Sequence, residues 1–258
     1  MAVNYEYFYM NYELVPERLD AIHVLRTPAS NIKLKNYNKN NDRNLQKILD
    51  AGDYGVNGAF FNAGDDADLA ILMIAMQDGN PVGPGNQGMN NGNTMCKSGI
   101  GWNGTNLLGY QGSLSSANTT GSHFSSSGTW LQGGIGLYLG NGNWKNLMQS
   151  EFADQDYYVE SNLRTALVAR LDDKKVDLIV SEFACTVADF REMIERYTGI
   201  AAYPTASSRF YGIMLDGGRS SQMVVKKDDG SVIEAPEALV TNLVMRKVAQ
   251  VITLKNKT

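Results

Sequence analysis

The segment DGGRSS at residues 216–221 combines residue types that suit an anion-binding or catalytic turn. It follows the apolar run Phe210–Leu215 and precedes Gln-Met-Val-Val, so a predicted strand lies on each side of it. The adjacent glycines allow positive φ and a close approach of backbone to ligand. Asp216 adds a carboxylate, and Ser220 and Ser221 add hydroxyl donors. The alternative interpretation is a simple hairpin turn, in which Asp-Gly is common.

If the turn is a site, its backbone and two arginines are suited to an anionic ligand. The N–H groups of Gly217, Gly218 and Arg219 would form an anion-binding nest. The guanidinium groups of Arg164 and Arg219 would hold a phosphate bidentately. Arg164 opens the predicted strand RTALVARL, and the alternative is that it is only a surface charge at the end of that strand.

The flanking sequence predicts the elements that would position this turn. The patterns favour strands at Tyr5–Tyr9, 21–27, 31–37 and 54–62, a short helix at 40–52, a strand or a helix at 67–79, a hairpin formed by 164–171 and 176–183, and strands at 222–226 and 246–254. Thr186, with Asp189 three residues later and a glycine at position 199, predicts a capped helix between them. We therefore expect an α+β fold: a single domain built on an antiparallel or mixed β-sheet, with a few helices.

Residues 77–145 differ in composition from the rest of the chain. They are rich in Gly, Asn and Ser, yet apolar anchors such as Trp102, Phe124 and Trp130 recur among them. Because a pure linker lacks such anchors, the pattern favours short strands joined by long loops over disorder. We interpret residues 86–160 as a variable, loop-rich insertion within one domain spanning 1–258.

Composition and charge exclude several classes of function. The chain has 258 residues, 43% of them hydrophobic, and its 23 basic against 27 acidic residues give a net charge of −4. A nucleic-acid polymer is not an expected partner, because such proteins usually carry a basic excess. Two cysteines and two histidines, with no CxxC pair, argue against structural zinc. No apolar run approaches a membrane span and no secretory signal precedes the fold, so a cytoplasmic location is expected.

Five segments in a fixed order resemble the phosphodiester glycosidase family, which includes the lysosomal uncovering enzyme. They are GVNGAFFN (55–62), NPVGPG (80–85), RTALVARL (164–171), the helix that begins TVADF, and IMLDGGRSSQMV (213–224), followed by a terminal RKVAQVI strand. The resemblance covers roughly residues 20–254, except that 86–160 matches no family pattern. Two positions differ: Arg219 replaces the third glycine of LDGGG, and Ala59 replaces the second glycine of NGG.

The resemblance implies a hydrolase that cleaves a sugar–phosphodiester bond at the anomeric carbon. Such a reaction needs a carboxylate near C1 and donors that hold the phosphate, because the leaving phosphate is already a weak base. Asp216 and Arg164 are then the catalytic candidates. The substrate-binding candidates are Asn57, Gly58, Asn62, Glu182 and the Gly217–Ser221 turn.

Several alternatives to this interpretation stay open. Asn57 with Gly58 is also typical of an ordinary turn, and Glu182 of a solvated strand edge, although Glu182 would also serve as a second carboxylate. Arg219 favours a carbohydrate- or nucleotide-binding module that kept the fold without turnover. A bacterial or phage enzyme acting on a cell-envelope polymer or a nucleotide-sugar-like signal is the third option.

The sequence implies few additional components. No organic cofactor is implied, and a divalent cation beside Asp216 is compatible with the residues but not required by them. We expect a small-molecule or oligosaccharide sugar-phosphate substrate and no membrane partner. Nothing in the sequence indicates the oligomeric state.

Overall fold

Most of the described chain forms two antiparallel β-sheets. The computed structural model describes residues 4–15, 18–38, 45–61, 70–83, 97–114, 122–152, 154–201, 208–237 and 246–256. Within these residues, the strands in chain order are β1 (Glu6–Val15), β2 (Arg18–Pro28), β3 (Ile32–Asn36), β4 (Gly55–Asn57), β5 (Ala75–Gln77), β6 (Asn80–Pro81), β7 (Ser98–Trp102), β8 (Leu107–Tyr110), β9 (Trp130–Gly136), β10 (Thr165–Arg170), β11 (Lys175–Ser181), β12 (Phe210–Met214), β13 (Met223–Lys226), β14 (Val232–Ala235) and β15 (Gln250–Leu254).

The larger sheet has ten strands and the smaller sheet has five. The strand order of the larger sheet is β1-β2-β11-β10-β12-β9-β5-β6, and β7 pairs with both β8 and β9. The smaller sheet has the order β14-β13-β4-β15-β3. All strand pairings among the described residues are antiparallel. With few helices in one compact domain, this confirms the expected α+β class.

Side-chain alternation on β1 shows what covers each face of the larger sheet. Neighbouring residues of a strand point to opposite faces. Tyr5 donates its hydroxyl proton to the carbonyl oxygen of Lys226 on β13, at 2.6 Å, so this face packs against the smaller sheet. The ring of Phe8 lies 6.4 Å from that of Tyr197, so the opposite face packs against a helix. The main core fills the space between these layers.

Three α-helices are described: α1 (Trp144–Glu151), α2 (Gln155–Val159) and α3 (Val187–Thr198). The predicted cap of α3 is confirmed. The Thr186 hydroxyl accepts the Asp189 N–H, the Asp189 carboxylate accepts the Thr186 N–H, and Gly199 has a left-handed φ of 80°. The sequence patterns did not predict α1 and α2, which lie at the end of the region 86–160.

Two sequence-based element predictions need comment. The helix predicted at 40–52 is wrong in its described part, where Gln46 bridges to Val248 and the backbone then turns. The physical reason is that this backbone pairs with other segments: Ile48 N donates to the side-chain oxygen of Gln222 at 2.9 Å. The strand-or-helix alternative for 67–79 resolves to a strand at Ala75–Gln77.

The region 86–160 contributes to the larger sheet where it is described. Strands β7, β8 and β9 are short, as the apolar anchors predicted, and the Trp130 indole is fully buried and donates to the Ala29 carbonyl at 2.8 Å. Among the residues that the structure describes, no helix is both long and apolar enough to span a bilayer.

Replacing Thr186 with alanine should lower the free energy of unfolding by about 1 kcal/mol, because the substitution removes one half of the α3 capping box. Urea titration of the variant measures the loss. Thr105→Ala is the control, since Thr105 is exposed and lies outside any helix. Equal midpoints for the two variants would contradict the assigned role of the cap.

Candidate functional site

Asp216 lies where β12 leaves the larger sheet. Leu215 N still donates to the Thr165 carbonyl of β10 at 2.9 Å. Asp216 N donates instead to the Gly58 carbonyl at 3.1 Å, just beyond the end of β4. The backbone therefore crosses from one sheet to the other at this residue, and the carboxylate lies at the end shared by both sheets.

The carboxylate of Asp216 is buried and bonded to Arg246. Its Oδ2 accepts from Arg246 Nη2 at 2.9 Å, and its Oδ1 accepts from Gly217 N at 3.0 Å. Arg246 Nε donates to Ser220 Oγ at 2.5 Å, and the guanidinium carbon lies 4.9 Å from the centre of the Phe61 ring. Burial raises the pKa of Asp216 above its ordinary value, and the charge of Arg246 and the Ser220 hydroxyl oppose that shift.

The side chain of Asn57 forms hydrogen bonds with three segments of the chain at this end of the molecule. Its side-chain oxygen accepts from the Thr165 hydroxyl at 2.8 Å and from Gln222 N at 3.1 Å. Its side-chain nitrogen donates to the Asp216 carbonyl at 2.8 Å. The residue is 1% exposed. In the structure this amide positions the backbone of Asp216, and its predicted contact with a sugar stays a prediction.

Gly58 is a glycine because a side chain there would collide with Gln250. A Cβ on Gly58 would lie 1.7 Å from Gln250 Oε1, which accepts the Ala59 N–H at 2.5 Å. Gly58 N also donates to the Gln250 carbonyl at 2.8 Å. Ala59, which replaces the second glycine of the family pattern, is buried beside this contact.

The turn at 217–221 is a short 3-10 turn whose amides are used internally. Gly217 N binds Asp216, Gly218 N donates to the Leu163 carbonyl at 2.8 Å, and Ser220 N donates to the Gly217 carbonyl. Gly218 has a φ of 58°, which explains its residue type. These bonds differ from the predicted anion nest, because the Gly217 and Gly218 donors point to acceptors of the protein itself.

Arg164 is buried beneath the site and does not reach a solvent-exposed position. Its Nη2 donates to the carbonyls of Tyr157 and Glu160 at 3.0 and 2.6 Å, and its Nε donates to the Cys185 carbonyl at 3.2 Å. Its guanidinium carbon lies 4.8 Å from the centre of the Tyr157 ring. Arg164 therefore holds the loops around α2 in place, and its predicted contact with phosphate stays a prediction. The surface-charge alternative is wrong because the residue is 1% exposed.

Glu182 is buried too, so the solvated-edge alternative is wrong. It follows β11, its Oε2 lies 2.6 Å from His23 Nε2, and both side chains are at most 5% exposed. The amide of Glu237 lies 3.3 and 3.4 Å from the two carboxylate oxygens.

The remaining predicted residues are placed in different ways. Asn62 lies outside the described residues. Arg219 is exposed, and its carbonyl accepts the Arg246 N–H at 2.9 Å. Ser220 binds Arg246 as described above. The Ser221 hydroxyl is buried, and no hydrogen-bond partner for it is found in the described part of the chain.

Sequence reasoning missed Arg246 and Gln222. The Gln222 side chain donates to the Arg246 carbonyl at 3.0 Å and accepts from Ile48 N, so it fixes the segment that carries the guanidinium. The available signal for Arg246 was its position at the start of RKVAQVI, a segment already included in the family resemblance. Within the described residues, no cluster of three His, Cys, Asp or Glu side chains is arranged to hold a metal ion.

The site is a buried carboxylate paired with a partly exposed guanidinium, whose side chain is 35% accessible. A cation at that position is able to bind an incoming anion while it also balances the carboxylate charge.

Comparison with known proteins relates the fold to enzymes and uncharacterised proteins. The sequence matches no family model and none of the curated proteins. The structure is similar to the catalytic domain of zebrafish N-acetylglucosamine-1-phosphodiester alpha-N-acetylglucosaminidase, auto-inhibited by its pro-peptide, with a TM-score of 0.66, 14% identity, and 99% of this chain and 84% of that chain covered.

Two bacterial structures are similar at lower scores. A Synechocystis protein has a TM-score of 0.50 and 12% identity, covering 96% of this chain and 61% of that one. A Burkholderia pseudomallei protein has the same score and identity, covering 92% and 74%. At these identities the comparisons establish the fold alone.

Gly58→Ala should lower the free energy of unfolding by about 1–3 kcal/mol, because the new methyl group displaces the Gln250 side chain from Ala59 N. Thermal or urea unfolding measures this change. Gly142→Ala is the matched control, since a Cβ there meets no atom within 4 Å. The proposed packing constraint fails if both alanine variants are as stable as the wild type.

Proposed function

We propose that this protein hydrolyses glycosyl 1-phosphodiesters at the end shared by the two sheets. The observation that carries the proposal is the buried Asp216 carboxylate bonded to Arg246 at 2.9 Å within the turn that the family resemblance singles out. The likeness of the fold to a phosphodiester glycosidase catalytic domain supports the same reaction class.

Arg246 is the cation that binds the phosphodiester in this proposal. Its guanidinium is more exposed than the carboxylate it contacts, at 35% against 10% of the two side chains. A phosphodiester oxygen competes with Asp216 for this guanidinium and forms charge-assisted hydrogen bonds with it. Arg219, exposed on the same turn, adds a second positive charge beside Asp216.

Asp216 provides negative charge where the sugar develops oxocarbenium character. When phosphate takes Arg246, the carboxylate loses its cationic partner and becomes available to C1 of the sugar. Gly217 N keeps one carboxylate oxygen oriented, and Asn57 fixes the Asp216 carbonyl. The buried Ser221 hydroxyl is a donor suited to the ligand. Arg164 acts in this proposal as a positioning residue, through Leu163 and the loops that it fastens.

A non-catalytic sugar- or nucleotide-binding module is the second candidate. Arg219 favours it, because a long cation stands where the family pattern has a small glycine. In that case the Asp216–Arg246 pair would bind the ligand phosphate without bond cleavage.

Asp216→Asn should abolish hydrolysis of sugar 1-phosphodiesters that the wild type cleaves, with a loss of at least about 10²-fold in kcat. The panel comprises methyl phosphodiesters of glucose and N-acetylglucosamine together with UDP-N-acetylglucosamine, and mass spectrometry resolves the products. Asp229→Asn is the matched control, because Asp229 is an exposed turn carboxylate bonded only locally to Ser231. Ligand-induced stabilisation without any cleavage by the wild type would favour the binding module.

As the pH is lowered, the rate of hydrolysis should fall at a higher pH than it would if Asp216 had the pKa of an ordinary aspartate. Burial raises the pKa of Asp216, so its carboxylate takes up a proton, and is lost to catalysis, at a higher pH than an ordinary aspartate does. The raised pKa also affects stability: at pH values between the unfolded and the folded pKa, the native state holds more protons than the unfolded state, so the free energy of unfolding decreases as the pH rises. A kcat/KM–pH profile and urea titrations of wild type and Asp216→Asn measure both effects. An acid limb at the pH where an ordinary aspartate titrates, or below it, would contradict the assignment.

A further inference from the structure

A chain of three polar side chains joins β1, β2 and the end of β11. The Tyr7 hydroxyl lies 2.7 Å from His23 Nδ1, and His23 Nε2 lies 2.6 Å from Glu182 Oε2. His23 and Glu182 are each 3% exposed. A carboxylate in such an environment is costly unless it is hydrogen-bonded, and here the imidazole and the Glu237 amide both bond it. The arrangement of hydroxyl, imidazole and carboxylate is the geometry in which a histidine orients an acid–base group.

The phenol supplies one donor of this chain. Burial, followed by the charge of Glu182, raises the pKa of Tyr7 to about 12, so its hydroxyl keeps its proton. That hydroxyl lies within hydrogen-bond distance of Nδ1, and the other ring nitrogen, Nε2, faces the Glu182 carboxylate. Tyr9, whose ring centre lies 4.8 Å from that of His23, and Glu237 are the other titratable groups that act on this cluster.

Strand register places Glu182 at the same end of the sheet as Asp216. Strands β11 and β12 lie on either side of β10 and run in the same direction. Ser181 N donates to the Arg164 carbonyl, and Leu215 N donates to the Thr165 carbonyl, so both strands end beside the start of β10. Glu182 follows Ser181 in the sequence, and Asp216 follows Leu215. Glu182 and Asp216 therefore lie two strands apart at this end of the sheet, on either side of the backbone that leads into β10.

We propose that Glu182, oriented by His23, is the general base that activates the attacking water of the hydrolysis reaction. This inference rests on the proposed function. The water O–H bond breaks and its proton goes to Glu182, while the water oxygen bonds to C1. The C1–O bond to phosphate breaks, and its electron pair leaves with the phosphate monoester, which needs no proton. Asp216 is then the charge-stabilising carboxylate, and the product has inverted configuration at C1.

His23 is a positioning residue in this scheme, and Tyr7 sets its tautomer. Without the Tyr7 hydroxyl, Nδ1 loses its donor and the Nε2–H form is no longer selected. Without a donor at the Nε2 position, the Glu182 carboxylate has lost a bond that fixes its orientation.

The test uses Glu182→Gln and Glu182→Ala with a substrate from the phosphodiester panel that the wild type cleaves. We expect kcat to fall by about 10²–10⁴-fold with little change in KM, because only proton transfer is removed. Added azide should restore turnover of Glu182→Ala and give the glycosyl azide of inverted configuration. A merely structural glutamate would show no azide adduct. Glu192→Gln, an exposed carboxylate paired with Arg196, is the matched control.

His23 variants separate orientation from general loss of stability. His23→Gln keeps an N–H donor for Glu182 and should retain more of kcat than His23→Leu at equal melting temperature. In wild type, the nitrogen shifts of the imidazole should show the Nε2–H tautomer, and Tyr7→Phe should reduce its population. His123 is the only other histidine in the sequence, so His123→Gln assigns the signals.

The possible outcomes are distinct. If the wild type cleaves no panel member, the proposed function fails and the base assignment falls with it. If the wild type cleaves but Glu182→Gln retains full kcat, or azide gives no adduct with Glu182→Ala, the base assignment alone is overturned. A product of retained configuration would also overturn it.

Discussion

The side-chain amide of Asn57 is the contact on which the site depends. It joins β4 of the smaller sheet to β10 of the larger sheet through Thr165, and it holds the backbone at Asp216 and Gln222. Each of its bonds is buried, so an unmade bond would leave a desolvated polar group. The two sheets are therefore fixed relative to each other at the end where the carboxylates of Asp216 and Glu182 lie. Both residues follow strands of the larger sheet, β12 and β11.

The buried charges at this end have different structural consequences. Arg164 is bonded by backbone carbonyls, so it stabilises loops and has little capacity for a ligand. Asp216 is bonded to a guanidinium that retains exposure, so its main partner is exchangeable. Glu182 is bonded to the imidazole of His23, which fixes the orientation of the carboxylate. The two carboxylates at this end of the sheet therefore have unlike environments, and the proposed division of their roles in hydrolysis depends on that difference.

Local signals in the sequence predicted the elements whose stabilising contacts are local. Thr186 and Asp189 are three residues apart, and the hairpin of β10 and β11 closes over a few residues. A short stretch of sequence is therefore enough to predict the cap of α3, and another to predict the hairpin. The helix expected at 40–52 failed because Gln222 and Val248, some two hundred residues away, take up the backbone groups that a helix would use internally. The sequence predicted short strands in the middle of the chain, whereas α1 and α2, of eight and five residues, are too short to show a helical period.

The same distinction explains which site residues were predicted. Asp216 could be singled out because the glycine turn adjoins it in sequence. Arg164 was predicted to bind phosphate, and its carbonyl partners in the structure come from segments that no spacing rule relates to it. Arg246 and His23 reach their carboxylates across 30 and 159 positions of the chain. A carboxylate is visible in a sequence motif, but the group that sets its charge or orientation is supplied by the fold. In this protein the two carboxylates differ through those partners, and the roles proposed for them rest on that difference.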